Sequence, residues 1–182
     1  MKLYLIRHGK TKANENHLYC GSTDLPLSDL GIQELSEYQY QIPKSCHYIT
    51  SGMMRTEQTL QYLFGDVAHT QDDRFREVNF GIFEMKSYEE LKMDEDYQNW
   101  ITGDNEKNVP PNGESGQHMT ERVLDGLNQL IQEDQDTVLI THGGVIACIM
   151  NHLFPKEEKN RYEWQSKPGR GYVITEGAYR LL

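Results

Sequence analysis

The sequence predicts an α/β fold: a single three-layer domain over residues 1–182, with a mainly parallel sheet and helices on both faces. Three observations predict it. Short apolar runs at residues 2–6, 46–50 and 137–141 have strand length, and each is followed by a polar or glycine-containing break. Segments with apolar residues at helical spacing alternate with these runs. No internal repeat, low-complexity tract or linker divides the chain, and 182 residues is an ordinary size for one domain.

The elements follow in order. Residues 2–6 form the first strand. Ser28 then caps a helix, with Leu27 stapling onto Ile32. Residues 46–50 are the second strand. Met53, Thr56, Leu60, Leu63 and Phe64 make one face of a helix that Gly65 ends. From Glu84 to Asp96 six acids fall on one or two short helices with solvated faces. Residues 105–116, containing Pro110, Pro111, Gly113 and Gly116, make the longest loop, which separates subregions rather than domains. Met119, Val123, Leu124, Leu127, Leu130 and Ile131 recur at helical spacing before the third strand, residues 137–141. An apolar helix over 145–154 is stopped by Pro155. Residues 171–175 and 178–182, joined through Glu176 and Gly177, read as a hairpin that adds edge strands.

Composition narrows the function. Lys plus Arg number 18 and Asp plus Glu 28, a formal charge of -10, which excludes nucleic acid and anionic membranes as general partners. No apolar run approaches the roughly 20 residues that span a bilayer. Charge interrupts residues 1–8 too early for a signal peptide, so a cytoplasmic protein is expected. Cys20, Cys46 and Cys148 are odd in number and widely spaced, which predicts free thiols.

The chemistry gathers at strand ends. Arg7, His8 and Gly9 directly follow the first strand, where an open α/β sheet places its ligand crevice. The first twelve residues hold four basic side chains and no acid, a local anion site in an acidic protein. The third strand ends in Thr141-His142-Gly143-Gly144, which brings a second histidine to the same crevice. Arg55 falls in the first turn of the helix after the second strand, where a cation opposes the helix dipole and therefore serves another purpose. An arginine there can grip a phosphate through paired, charge-assisted hydrogen bonds. Metal binding fits poorly: His8 and His142 lack a His-x-x-x-His partner or a cysteine cluster, and the arginines would repel a divalent cation. Phosphate-loop and dinucleotide glycine fingerprints are missing. His17, His47, His69, His118 and His152 have no comparable setting and read as surface or structural residues.

Arg7-His8-Gly9-Lys10-Thr11 with Asn14 resembles the opening signature of the histidine phosphatases, the phosphoglycerate mutase-like superfamily. Tyr19-Cys20-Gly21-Ser22-Thr23-Asp24, Arg55-Thr56, Glu77 with Gly81, Pro111-Asn112-Gly113-Glu114-Ser115 and His142-Gly143-Gly144 follow in that family's order. Lys10 departs by replacing the usual acid, and Phe83 and Met85 stand where many members have Trp and Gly. These departures bear on substrate choice more than on catalysis.

The resemblance implies a phosphoglycerate mutase-like fold and a reaction through phosphohistidine without metal or cofactor. It makes His8 the nucleophile, sets Arg7, Arg55 and His142 around the phosphoryl oxygens, and adds Asn14, Gly21, Ser22 and Gly143 as substrate contacts. It assigns Glu77 as the acid that protonates the leaving group and then as the base toward water. Cofactor-dependent mutases are similar but longer, so the compact chain looks like the phosphatase branch. Residues 19–27, 79–84 and 110–115 look most like α-ribazole 5'-phosphate phosphatases of cobalamin biosynthesis. A phosphoglycerate mutase, a sugar-phosphate phosphatase, or a non-catalytic module docking a phosphorylated partner are the other readings. The expected partner is a small phosphorylated metabolite; no oligomeric state follows from the sequence.

Overall fold

The three apolar runs become three neighbouring parallel strands. In the computed structural model, which describes residues 1–104 and 106–182, the chain runs β1 (Lys2–Arg7), α1 (Lys12–Glu15), α2 (Asp29–Leu35), β2 (His47–Thr50), α3 (Met54–Phe64) and β3 (His69–Gln71). It continues through α4 (Tyr88–Leu91), α5 (Glu95–Ile101), α6 (Gly116–Glu133), β4 (Thr137–Thr141), α7 (Gly143–Leu153), α8 (Arg161–Trp164), β5 (Gly171–Thr175) and β6 (Ala178–Leu181). The loop expected at 105–116 starts at Asn105, outside the described residues; from 106 to 115 the chain has neither helix nor strand.

Among the described residues one sheet holds six strands in the order β3-β2-β4-β1-β5-β6. Three of its pairings are parallel, β1 with β4, β2 with β4 and β2 with β3. The C-terminal hairpin is antiparallel, and its first strand lies against β1, so β6 alone, rather than both strands, forms that edge.

Burial on both faces explains why the central strands read as apolar runs. Leu3 and Leu5 of β1 and Leu139 of β4 join one core with Leu127 and Met119 of α6 and Ile146 of α7. Tyr4, Ile6, Val138 and Ile140 point the other way, to Tyr48 and to Leu60 of α3. Helices therefore cover both faces, as the sequence predicts. Ser28 caps α2 by accepting the Gly31 N–H, and Gly65, with φ 71°, closes α3.

Candidate active site

Because β1, β4 and β2 are parallel neighbours, the residues that follow them converge at one end of the sheet. The His8 N–H donates to Thr141 O at 2.9 Å, tying the two strand ends together. The imidazoles of His8 and His142 meet edge to face with centroids 5.1 Å apart. His8 is 5 % exposed, Arg55 1 % and His142 0 %, so the centre is nearly closed to solvent.

Hydrogen bonds fix the state of each ring. Nδ1 of His8 lies 2.7 Å from Gly9 O. A carbonyl can only accept, so Nδ1 carries the proton and Nε2 keeps its lone pair. Burial, then the charges of Arg55 and Arg7, hold the His8 pKa well below the usual histidine range, against a smaller opposing effect of the Gly9 bond. His8 is a neutral imidazole with a nucleophilic nitrogen at pH 7.

His142 is fixed the other way round. The Nε–H of Arg55 donates to its Nδ1 at 3.3 Å, so Nε2 is the protonated nitrogen and donates to Ser51 Oγ at 2.9 Å. Ser51 passes its hydroxyl to Thr56 Oγ1 at 3.1 Å, and Thr56 donates to Met53 O at 2.7 Å. The carbonyl at the end of this chain sets its direction. Burial, Arg55, His8 and Arg7 lower the His142 pKa well below the usual range. Sequence reasoning placed His142 on a phosphoryl oxygen. The structure engages both of its ring nitrogens with Arg55 and Ser51, so here it holds Arg55 in position.

Arg55 donates through Nη1 to Thr23 O at 2.9 Å and through Nη2 to Gly21 O at 2.7 Å, leaving further N–H groups for an anion. Arg7 donates from Nη1 to Ser166 O at 2.8 Å. Its Nε is buried with no hydrogen-bond partner among the described residues. Burial lowers the Arg7 pKa and Glu77 partly restores it. An orphaned, buried guanidinium N–H is the kind of group an incoming phosphate satisfies.

Glu77 sits on the segment between short 3-10 helices at Asp73–Phe75 and Gly81–Phe83. Its Oε1 accepts the Val78 N–H at 3.0 Å, and its Oε2 accepts the Gly144 N–H at the start of α7 at 2.9 Å. A Cβ on Gly144 would stand 2.3 Å from Glu77 Oε1, so a side chain there would push the carboxylate away. Arg122 braces the segment, donating to Arg76 O at 2.7 Å and Glu77 O at 3.2 Å while forming a two-pronged bond to Glu114 at 2.7 and 2.8 Å.

Other predicted contacts are placed less directly. Gly21 and Ser22 give their N–H groups to the carboxylate of Glu84, at 3.0 and 2.9 Å, and the Ser22 hydroxyl donates to Asn79 Oδ1 at 3.0 Å. They support Arg55 and are not free donors. A Cβ at Gly21 would fall 1.6 Å from Val78 O, so this loop lies directly on the Glu77 segment. Asn14 Oδ1 accepts the N–H and hydroxyl of Thr11 at 2.9 and 3.1 Å, which leaves its amide NH2 to donate. Gly143 opens α7 beside Arg7.

Sequence reasoning missed three supports: Ser51, Glu84 and Arg122. Glu84 falls in sequence among the acids expected on solvated faces, yet it is half-buried and accepts N–H bonds from Gly21, Ser22, Thr23 and Phe80. Burial raises its pKa, but the Thr23 hydroxyl and the Phe80, Ser22 and Gly21 amides outweigh it and hold the carboxyl below its ordinary range. The segment that carries Glu84 was visible in the family signature; its role was not.

Among the described residues no three His, Cys, Asp or Glu side chains form a metal-holding group, and no helix is long and apolar enough to cross a membrane. The three cysteines are free thiols.

Comparison with known proteins agrees with this geometry. The model of the histidine phosphatase superfamily (branch 1) matches residues 3–178. The alpha-ribazole phosphatase of Shigella flexneri superposes with a TM-score of 0.84 at 26% identity, covering 100% of this chain and 95% of that one. A phosphoglycerate mutase from Thermus thermophilus gives 0.77 at 27%, covering 100% and 96%. The curated "Probable phosphoglycerate mutase GpmB" of Yersinia pestis (strain Pestoides F) is 26% identical over 160 residues, 84% of this chain and 74% of that protein.

Proposed function

The chain belongs to the histidine phosphatase superfamily, and from that membership and the geometry around His8 we propose that it is a metal-independent phosphomonoesterase working through phosphohistidine in the cytoplasm. The observation that carries this reading is the Nδ1–H bond of His8 to Gly9 O, which leaves Nε2 unprotonated beside two arginines.

In the first step the Nε2 lone pair attacks phosphorus and the bond from phosphorus to the ester oxygen breaks. Arg7 and Arg55 take up the charge spreading over the equatorial oxygens, the task that metal ions perform in many phosphoryl-transfer enzymes. Glu77 gives its proton to the departing oxygen, a contribution typically worth ~10² to 10⁴-fold. In the second step water attacks the phosphohistidine, Glu77 takes the proton, the nitrogen–phosphorus bond breaks and inorganic phosphate leaves. Splitting one displacement into two is the advantage of a covalent intermediate.

The substrate we propose is a small phosphorylated metabolite, with α-ribazole 5'-phosphate first. The likeness to an α-ribazole phosphatase across the whole chain supports that choice. A mutase reading draws on the GpmB relative and the Thermus mutase and differs only in what accepts the phosphoryl group.

Incubation with 32P-labelled ester, acid quenching and peptide mapping should place label on His8, and turnover should persist in EDTA. His8→Ala should lose label and turnover together. Turnover without label at His8, or loss of activity to the chelator, overturns the reading; release of labelled inorganic phosphate rather than a second phosphoester separates phosphatase from mutase.

A further inference from the structure

Glu77 borders two cavities. The larger, about 510 Å³, is lined in part by Val78, Gly144 and Gln165, and the smaller, about 320 Å³, in part by Arg76, Asn79 and Arg122. The carboxylate is turned toward the larger one: its oxygens accept the N–H groups of Val78 and Gly144, and neither of those residues lines the smaller.

Gln165 stands on that same side. The two glycines that open α7 are each covered by polar groups. Gln165 Oε1 and Arg7 Cζ both come within 3.2 Å of where a Gly143 Cβ would be, and Glu77 Oε1 within 2.3 Å of the equivalent point on Gly144. A carboxamide, a guanidinium and a carboxylate therefore meet over one helical step. The chain on either side holds the carboxamide there. The N–H of Gln165 donates to Tyr162 O at 3.3 Å, Trp164 before it is 0 % exposed, and Arg7 Nη1 donates to the carbonyl of Ser166 after it at 2.8 Å. Among the described residues the hydrogen bonds of this segment run through its backbone and Ser166, and none engages the Gln165 carboxamide.

Breaking down phosphohistidine asks more of the site than forming it. Water must turn a lone pair toward phosphorus and therefore both hydrogens away from it. Glu77 takes one as a proton, and the other needs an acceptor as well. Among the remaining side-chain acceptors lining the larger cavity, Glu114 has both oxygens on Arg122, and the Tyr19 and Tyr97 hydroxyls hold each other. Tyr88 and Tyr162 are exposed. Gln165 is left, half-buried beside Arg7, with an oxygen that accepts and an NH2 that donates.

We propose that Gln165 orients the attacking water, its Oε1 accepting the hydrogen that Glu77 does not take. This rests on the reading of His8 as nucleophile and Glu77 as base. The water oxygen bonds to phosphorus, the bond from phosphorus to His8 Nε2 breaks with its electron pair returning to nitrogen, and one proton passes to Glu77. Gln165 steadies the remaining hydrogen without receiving it. A glutamine aims water at phosphorus in the same way in some nucleotide hydrolases. An alcohol has a single hydroxyl hydrogen, which Glu77 accepts, so transfer to an alcohol does not call on Gln165.

That difference supplies the test. With 32P-labelled p-nitrophenyl phosphate in water containing ethylene glycol, nitrophenol counts all turnover, inorganic phosphate counts hydrolysis, and the difference is transfer to the glycol. Gln165→Leu keeps the length and removes the acceptor. It should raise the ratio of transfer to hydrolysis about tenfold and increase the label standing on His8 during turnover, because the first step needs no water. Gln165→Glu keeps an acceptor at that length. It should hold the ratio near that of the unaltered protein while raising KM, since it adds a negative charge beside the phosphate. Damage to Arg7 alone would slow transfer and hydrolysis together. An unchanged ratio in Gln165→Leu, or the same rise in Gln165→Glu, with label on His8, overturns this proposal and leaves the phosphatase standing. Nitrophenol release with no label on His8 in any of the three proteins overturns the phosphohistidine reading, and the water step with it.

Discussion

Glu84 and Arg55 hold opposite sides of one short loop: the carboxylate of Glu84 accepts the N–H groups of Gly21, Ser22 and Thr23, while Arg55 donates to the carbonyls of Gly21 and Thr23. The loop is a spacer through which a charge 29 positions along in sequence fixes the Arg55 guanidinium, which we propose grips the phosphate. Hydrogen bonds to a charged acceptor contribute ~1.5–3 kcal/mol each, and they are not additive. Glu84→Gln keeps the shape but loses the charge and one acceptor oxygen. It should lower unfolding free energy by about 2 kcal/mol and raise the inhibition constant of inorganic phosphate roughly tenfold. Urea denaturation and phosphate inhibition check the two effects; an unchanged phosphate constant in a folded variant would show that Arg55 does not depend on the loop.

Two neutral imidazoles in a closed site make stability depend on pH. Burial first, then Arg55, lowers the pKa of both His8 and His142. An unfolded histidine takes up its proton near ~6.5, whereas the folded ones resist until the pH is much lower. In that interval the unfolded chain binds more protons, so this stabilisation is complete above pH ~6.5 and is lost as the pH falls toward the folded pKa values. The loss should reach about 1.4 kcal/mol per pH unit for each imidazole. Denaturation midpoints between pH 8 and 5.5 should fall below pH ~6.5, with a shallower slope in His142→Gln; a flat profile would mean that the imidazoles charge without penalty.

The parts of this molecule that were legible in the sequence are those written in burial or in chain order. The strands β1, β2 and β4 announce themselves because both faces are covered. β3, the tripeptide His69–Gln71, is exposed throughout and exists through backbone pairing with β2, so it leaves no hydrophobic trace. The helices α1 and α8 have only their caps, Thr11 and Asn160, as signals. His8, Arg55, Glu77 and His142 stood out by position after strands or within an ordered motif set. Ser51 did not, because a buried serine becomes meaningful only when tertiary folding brings His142 to it across 91 residues of sequence.

That serine yields a direct test of tautomer control. Ser51 is 0 % exposed and accepts from His142 Nε2. Ser51→Ala leaves a buried N–H without its acceptor, a loss of ~1–3 kcal/mol, and frees the ring to change tautomer. Once Nδ1 carries the proton, Arg55 loses the acceptor for its Nε–H. The rate should fall on the order of tenfold, and the 15N shifts of His142 should move from one protonated nitrogen toward a mixture. Retention of the Nε2–H signature in the variant would remove the serine chain from the account of Arg55.

Gly144 separates the position of Glu77, the acid we propose, from the fold. Alanine there adds a Cβ 2.3 Å from Glu77 Oε1, but the obstructing atom is the end of a flexible side chain and Gly144 lies in the first turn of α7. The helix should accept alanine without penalty, since alanine is favoured over glycine in helices by up to ~1 kcal/mol. Glu77 must then swing away from the Gly144 N–H and from the leaving oxygen. The consequence depends on the ester. An alkyl phosphate needs its alkoxide protonated as it departs, so Gly144→Ala should cost it on the order of 10²-fold, whereas p-nitrophenyl phosphate, whose phenolate leaves unaided, should lose little. Glu77→Gln should show the same dependence on the leaving group with Gly144 intact. Equal losses on both esters in Gly144→Ala, with an unchanged melting temperature, would place the damage at phosphate binding and take proton delivery away from Glu77.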